Sequence, residues 1–475
     1  EISACLVGSE MCIRDRRCTM LKSVKKRHLW LYIIAVVASL GGLLSGFDTG
    51  VISGALIFIN ETWSMTPLEQ GWVVSSAIVG AVIGAALNGV LSDIYGRKKI
   101  IIATGIIFAL GSVFCAYAVS VHWLMASRMI IGLAVGMVNF IIPLYLSEIS
   151  PQKIRGMLVS LFQLAITAGI LFSYLINRVF ANAEYNWRWM LGAGLVPAVI
   201  LLVGIAFLGD TPRWLISKNR EDEAKDIFKK IDPDTDPEHQ ISEIKANIAA
   251  QNRQKAGFQK WMLMPVFVGV GIMFVQICTG INTIIYYTTT IFKIAGFSST
   301  IGAIYATIGI GTVNFLMTLV AIFFTDKWGR KPLLYIGLWG ILISLLSLGF
   351  AFHYSDVLGE SLKWIAVGSV VLYIASFAMS LGPIGWILVS EILPLKIRGF
   401  AMSLCTVANF GFNFIVVLSF LPLINSIGEA RTFWIFALIA ALSLLFVYFF
   451  VPETKGISLE KIERNWRNRV SARKF

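Results

Sequence analysis

Long apolar runs recur along this chain, and each is long enough to cross a lipid bilayer as a helix. A helical span needs about 20 mainly apolar residues. A lipid-exposed backbone must also satisfy its hydrogen bonds internally, so only helices and closed barrels span membranes. Twelve runs meet the helix requirement, at about Trp30–Ile59, Leu68–Leu91, Ile100–Val119, His122–Leu146, Met157–Val179, Trp187–Leu208, Trp261–Phe292, Ser299–Phe324, Leu333–Phe352, Leu362–Val389, Phe400–Leu423 and Thr432–Val451. The sequence therefore predicts an all-α membrane protein with twelve transmembrane helices in a lipid bilayer.

Composition excludes a soluble protein. Of the 475 residues, 57% are hydrophobic and 14% are charged, too few polar side chains to cover a soluble surface. The net charge of +13 does not indicate a nucleic-acid partner, because the basic residues cluster in short loops between apolar runs, as cytoplasmic loops do. The six cysteines have neither disulfide nor metal-ligand spacing. No metal and no cofactor is predicted.

A decapeptide occurs twice and divides the chain into related halves. Residues Ser147–Gly156 and Ser390–Gly399 differ only at their fourth and sixth positions, and each lies between two apolar runs. A second echo relates Asp93–Lys98 to Asp326–Lys331, after the second run of each half. Internal repeats of this kind are how many transporters are built. The pattern predicts two six-helix halves.

These signals divide the chain into five regions, with both termini predicted on the cytoplasmic side of a cell (inner) membrane. Residues 1–19 lack an apolar run and resemble a translated adapter sequence, so we expect a non-native or disordered tail and a start at Met20. The polar stretch 209–260 is predicted to be a cytoplasmic linker with short helices at Arg220–Ile231 and Ile241–Gln251. The remaining regions are 20–208, the N-terminal half; 261–451, the C-terminal half; and 452–475, a cytoplasmic tail.

An ordered set of short motifs resembles one transporter family. The set is Gly89-x-x-Ser-Asp93-x-x-Gly-Arg97-Lys98, Arg128-x-x-x-Gly132-x-x-x-Gly136, the twin decapeptides, Thr211–Leu215, Gly280-Ile-Asn282-x-x-x-Tyr286-Tyr287, Gly382-Pro-x-x-Trp386 and Pro452–Gly456. Together they resemble the sugar porters of the major facilitator superfamily, in pattern the bacterial pentose and hexose proton symporters, with features of facilitative glucose transporters. The resemblance covers Trp30 to about Leu459.

The resemblance implies a monomeric carrier that imports a monosaccharide with protons by alternating access. A uniporter is the alternative transporter function, and a non-transporting sugar sensor is another. No metalloprotease motif or Ser–Lys pair within the spans indicates an enzyme. Asp48 is the candidate proton site, because it is the only charge between Arg27 and Glu61 and a carboxylate inside a membrane is costly and usually functional. Its predicted partner is Arg128.

Isolated amides in the apolar runs are candidates for sugar binding, because an amide offers both a donor and an acceptor to a hydroxyl. An indole can stack on the apolar face of a sugar ring. The resemblance implies sugar contacts for Gln163, Gln276, Asn282, Asn314, Trp386 and Asn409, with Gly382 beside the site and Tyr286 closing the outer side. Ile277 and Ile170 depart from glutamines found in related symporters, which leaves the sugar open.

Charged residues of the repeated motifs are candidates for a gate at the cytoplasmic end. They are Asp93, Arg97, Glu148, Arg155, Asp326, Arg330, Glu391 and Arg398. We expect salt bridges between the two halves when the carrier is open outward, and we expect them to break when it opens inward. A network of exposed pairs can bias a two-state equilibrium although each pair is weak.

Overall fold

The computed structural model describes residues 29–150, 155–231, 236–253, 259–394, 397–457, 459–468 and 470. Within them the chain is helical, without strands. Twelve helical segments are long and apolar enough to cross a membrane, as predicted. Spans 1 to 12 are Ile33–Trp63, Pro67–Tyr95, Arg97–Ala116, Val121–Ile149, Ser160–Phe180, Asn186–Ala206, Lys260–Ile294, Thr300–Phe324, Arg330–His353, Ser361–Ile392, Arg398–Ile427 and Glu429–Phe450. We call the end that carries the loops after spans 2 and 8 the basic end, and the opposite end the far end.

Small residues set the packing inside the N-terminal half. Span 4 approaches span 2 so closely that a Cβ on Gly132 would lie 1.9 Å from the carbonyl oxygen of Ala77. The contact is reciprocal, since a Cβ on Gly80 of span 2 would lie 2.1 Å from the Met129 carbonyl oxygen. Small residues at such crossings let helix backbones meet in membranes. Spans 1 and 5 pack in the same way, with Gly46 against Ile166.

Among the described residues, the main contacts between the halves join span 1 to span 7, span 2 to span 11, and span 5 to span 8. Hydrogen bonds between halves lie toward the far end. The Ser53 hydroxyl of span 1 lies 3.0 Å from the Thr289 hydroxyl of span 7, and all of Ser53 is buried. Tyr174 of span 5 donates to the Ile285 carbonyl oxygen at 3.2 Å. The far ends of the halves are therefore closed against each other in this structure.

Spans 7 and 10, predicted as continuous runs, are each broken near the middle. Span 7 consists of Leu263–Cys278 and Ile281–Ile294, separated at Gly280, whose φ of 99° suits glycine. Span 10 consists of Ser361–Met379 and Leu381–Ile392, with Ser380 at φ −125° and ψ −88° between them. The break of span 10 lies just before Gly382 and Pro383, and Pro383 is accommodated in the first turn of the second segment.

The linker folds onto the N-terminal half. Its helices are Pro212–Ser217, Glu221–Ile231 and Pro237–Arg253, one more than the sequence predicts. A small separate core joins them, made of Trp214, Leu215, Ile216, Ala224 and Ile241. The Trp214 indole donates to the Asp93 carbonyl oxygen at 3.1 Å, which attaches the linker to span 2. The predicted tail at residues 1–19 lies outside the described residues.

Candidate functional site

A buried ion pair joins spans 1 and 4 in the middle of the N-terminal half. Nη1 of Arg128 lies 3.2 Å from Oδ1 of Asp48. Arg128 is fully buried and Asp48 is 5% exposed. The two side chains therefore form a close ion pair that is shielded from water. The predicted partners are thus adjacent. Each charge offsets part of the cost of burying the other away from water.

An amide cluster occupies the equivalent place in the C-terminal half. The Gln276 side chain, at the end of the first segment of span 7, donates through Nε2 to the carbonyl oxygens of Leu381 and Gly382, at 3.0 and 3.3 Å. Its Oε1 accepts from Nδ2 of Asn409 at 2.9 Å. Three of the eight residues predicted at the sugar site, Gln276, Gly382 and Asn409, therefore meet. Both polar atoms of the Gln276 amide thus bond to protein groups.

The other predicted sugar residues are spread over the spans around this cluster. Asn314 and Tyr286 are buried, whereas Gln163, Asn282 and Trp386 are half-buried. In the part of the chain that the structure describes, no side-chain hydrogen bond joins Gln163, Asn282 or Asn314 to the amide cluster. Their common role in sugar binding stays a prediction.

Two residues of this region were missed by the sequence analysis. Tyr373 of span 10 donates its hydroxyl to the Thr279 carbonyl oxygen at the break of span 7, at 3.0 Å. Gly385 leaves room for the amide of Gln276, since a Cβ there would lie 2.9 Å from Nε2. A tyrosine in an apolar run resembles a packing residue, and its partner is a backbone atom, so no sequence signal could have identified it.

A hydrogen-bonded network at the basic end of the N-terminal half surrounds Glu148. Arg97 donates through Nε and Nη2 to the two carboxylate oxygens of Glu148, at 3.0 and 2.9 Å. Thr211, from the segment after span 6, donates to the same carboxylate at 2.5 Å. Arg97 also bonds to Asp93 at 3.0 Å. Bidentate arginine–carboxylate pairs are among the stronger side-chain contacts.

The C-terminal half repeats this network. Nη2 of Arg330 lies 3.1 Å from Oε1 of Glu391, and the Thr454 hydroxyl donates to the same carboxylate at 2.5 Å. Thr454 follows span 12 as Thr211 follows span 6. The repeated motifs thus hold the same three-residue arrangement in both halves, and the sequence analysis missed the two threonines because it assigned no role to the segments after spans 6 and 12.

An acidic residue also caps a helix in each half. Asp210 accepts from the backbone N–H of Lys98 at 2.9 Å, at the start of span 3. Glu453 accepts from the backbone N–H groups of Arg330 and Lys331, at 3.1 and 2.9 Å, at the start of span 9. A carboxylate is favourable at a helix N-terminus because it satisfies free N–H groups there.

In the described part of the chain, Glu148 and Glu391 form salt bridges within their own halves and not between the halves. Glu148 bonds to Arg97 of its own half, and Glu391 bonds to Arg330 of its own half. Neighbouring groups of the same half occupy these carboxylates here, where the far ends are closed. The salt bridges expected between halves in an outward-open carrier stay a prediction. Arg398 donates to the Leu393 carbonyl oxygen, at 3.5 Å. The side chains of Arg155 and Asp326 lie outside the described part.

Comparisons with known proteins agree with this architecture. Residues 34–466 match the family described as "Sugar (and other) transporter". The chain is 41% identical over 451 residues to the "Probable metabolite transport protein CsbC" of Bacillus subtilis, covering 94% of this chain and 97% of the relative. It is 40% identical over 451 residues to the galactose-proton symporter of Escherichia coli K12, covering 94% and 96%.

A solved structure shows the same fold. The major facilitator superfamily proton:xylose symporter XylE, bound to 6-bromo-6-deoxy-D-glucose, superposes with a TM-score of 0.78 at 33% identity, covering 93% of this chain and all of that one. The fold is therefore that of a twelve-span membrane carrier of the major facilitator superfamily. Within that class, the chain belongs to the sugar (and other) transporter family, and it is a multi-pass membrane protein.

Proposed function

We propose that this protein imports a monosaccharide together with protons by alternating access. The observation that carries the proposal is the Asp48–Arg128 pair at 3.2 Å, buried between spans 1 and 4. A carboxylate that is paired when ionised and released when protonated can link proton binding to a change between two conformations. The names of two similar proteins, a galactose-proton and a proton:xylose symporter, support a hexose or pentose as the cargo.

The proposed sugar site lies between the amide cluster and Trp386. Gln276 and Asn409 offer amide groups, Trp386 offers an aromatic face, and Gln163, Asn282 and Asn314 offer further amides from neighbouring spans. Each hydroxyl of a sugar both donates and accepts, so neutral amides can replace its water without a buried charge. Tyr286 lies on the far segment of span 7, which would cover the sugar from that side.

We propose that the protein lies in a cell (inner) membrane, with its basic end and both termini on the cytoplasmic side. Its support is the concentration of Lys and Arg in the loops after spans 2 and 8, since short cytoplasmic loops carry such an excess. The networks around Glu148 and Glu391 would then form the cytoplasmic gate, each as a clamp within its own half. One chain contains both halves and both sites, so a monomer suffices for transport.

Uptake into vesicles tests the proposal. Purified protein is reconstituted, and entry of radiolabelled xylose, arabinose, galactose and glucose is measured with and without an imposed pH gradient. We expect at least one sugar to accumulate above its external concentration only when the gradient is present. Entry that stops at equal concentrations under both conditions would indicate uniport, and the absence of entry for every sugar would reject the proposed cargo.

A further inference from the structure

The breaks of spans 7 and 10 are connected by hydrogen bonds in both directions. Gln276, at the end of the basic segment of span 7, donates to the Leu381 and Gly382 carbonyl oxygens, just past the break of span 10. In return, Tyr373 of span 10 donates to the carbonyl oxygen of Thr279, within the break of span 7. Each broken span therefore holds the other at its hinge.

Both connections are shielded from water. Tyr373 and Thr279 are fully buried, and Gln276 is 4% exposed. A hydrogen bond in such surroundings is costly to leave unmade, because neither partner can turn to water instead. The contact between Tyr373 and Thr279 is thus a strong constraint on how the two segments of span 7 can move relative to span 10.

The four segments joined at these hinges lead to opposite ends of the molecule. The far segment of span 7, Ile281–Ile294, carries Thr289, which contacts Ser53 across the closed far end. The second segment of span 10, Leu381–Ile392, carries Trp386 and ends next to the Glu391 network at the basic end. A connection between the two breaks therefore links closure of the far end to the position of the second segment of span 10 at the basic end.

We propose that Tyr373 is a positioning residue that makes spans 7 and 10 bend together, through its hydrogen bond to the Thr279 carbonyl. This inference rests on the proposed transport function and adds a role for a residue outside the sugar and proton sites. Gln276 makes the second connection between the two breaks, from span 7 to span 10. A sugar that displaces the Gln276 amide would remove that connection, while the hydrogen bond from Tyr373 to Thr279 remains. The paired hinge prevents both ends from opening at once.

The first test separates binding from movement. Tyr373→Phe keeps the ring and removes only the donor. Tyr145→Phe is the matched control, because the Tyr145 hydroxyl is also buried and donates to a backbone carbonyl, that of Gly209, at 2.9 Å, away from both hinges. We expect Tyr373→Phe to lower the maximal transport rate about tenfold while equilibrium sugar binding stays within about twofold. A loss of rate no larger than in the control, or an equal loss in binding, would overturn the proposal.

The second test needs no transported substrate. Thr290→Cys provides a reporter in the cleft at the far end, which Asn60 and Lys293 also line. Its reaction rate with a membrane-impermeant maleimide is measured in sugar-free protein, alone and combined with each tyrosine variant. We expect Tyr373→Phe to raise the labelling rate about tenfold. Without the hydrogen bond to span 10, the far segment of span 7 can move away from the N-terminal half more often and expose residue 290. An unchanged rate would overturn the paired hinge even if wild-type protein carries none of the sugars tested.

Discussion

The two halves have the same arrangement of helices and the same network at the basic end, but their centres differ. In the N-terminal half, spans 1 and 4 are continuous and hold the Asp48–Arg128 charge pair. In the C-terminal half, spans 7 and 10 are broken and connected by neutral groups of Gln276 and Tyr373. A buried charge pair requires fixed partners, because separating it leaves an uncompensated charge. Neutral hydrogen bonds can be exchanged with a sugar at lower cost.

This contrast suggests a division of labour. A charge pair held by unbroken helices can favour one of two conformations of the carrier according to its protonation, whereas a pair of helices with hinges can close around a cargo. The networks that the repeated motifs form at the basic end, around Glu148 and Glu391, are alike in both halves. The following predictions test whether the division holds, and they run from the largest expected effect to the smallest.

The largest effect is expected from neutralising the proton site. Asp48→Asn removes the titrating group, so the inside-to-outside sugar ratio under a pH gradient should fall to about 1 while exchange of sugar across the membrane continues. Accumulation and sugar counterflow are measured in the same vesicles. Glu61→Gln is the control, because it removes an exposed acid from the same span. Undiminished accumulation in Asp48→Asn would assign coupling to another group.

The rigidity of the N-terminal half is expected to depend on its glycine contacts. Gly132→Ala would place a Cβ 1.9 Å from the Ala77 carbonyl oxygen and force spans 2 and 4 apart. We expect a loss of about 1–3 kcal/mol in the free energy of unfolding, measured by thermal unfolding in detergent. Gly411→Ala on span 11 has nothing within 4 Å and should be nearly neutral. Equal stability of both variants would contradict the close packing.

The cargo site in the C-terminal half is tested with Trp386→Ala. Loss of the aromatic face should weaken equilibrium sugar binding about tenfold, with little change in the dependence of uptake on the pH gradient. Binding is measured by titration calorimetry. Trp364→Ala is the control, because that indole is exposed near the far end. If binding is as strong as in wild type, the sugar lies elsewhere.

The smallest effects are expected in the networks around Glu148 and Glu391 at the basic end. Thr211→Val and Thr454→Val each remove one hydrogen bond to a glutamate that keeps its arginine, so each should change the transport rate by about three- to tenfold. The two changes should be similar, since the networks are alike. Rates are compared side by side in vesicles. A large effect in only one half would show that the two networks have different roles despite their matching geometry.

The sequence alone determined the number of helices, the division into related halves and the candidate proton site. These features depend on runs of apolar residues, on a repeat that is nearly identical in its two copies, and on a charge isolated within an apolar run. All three can be recognised from the order of residues alone. Asp48 was identifiable because no other charge lies near it in the chain. Its neighbour Arg128 was identifiable only with the help of the family motif.

Tertiary structure decided which partners those residues have. Glu148 and Glu391 each bond to an arginine of their own half. Each also accepts from a threonine, Thr211 or Thr454, that lies 63 residues further along the chain. The breaks in spans 7 and 10 and the role of Tyr373 were equally hidden, because their hydrogen bonds run to backbone carbonyls, which every residue carries. Sequence patterns show which side chains are costly in a membrane, but only the packed helices determine which groups compensate them.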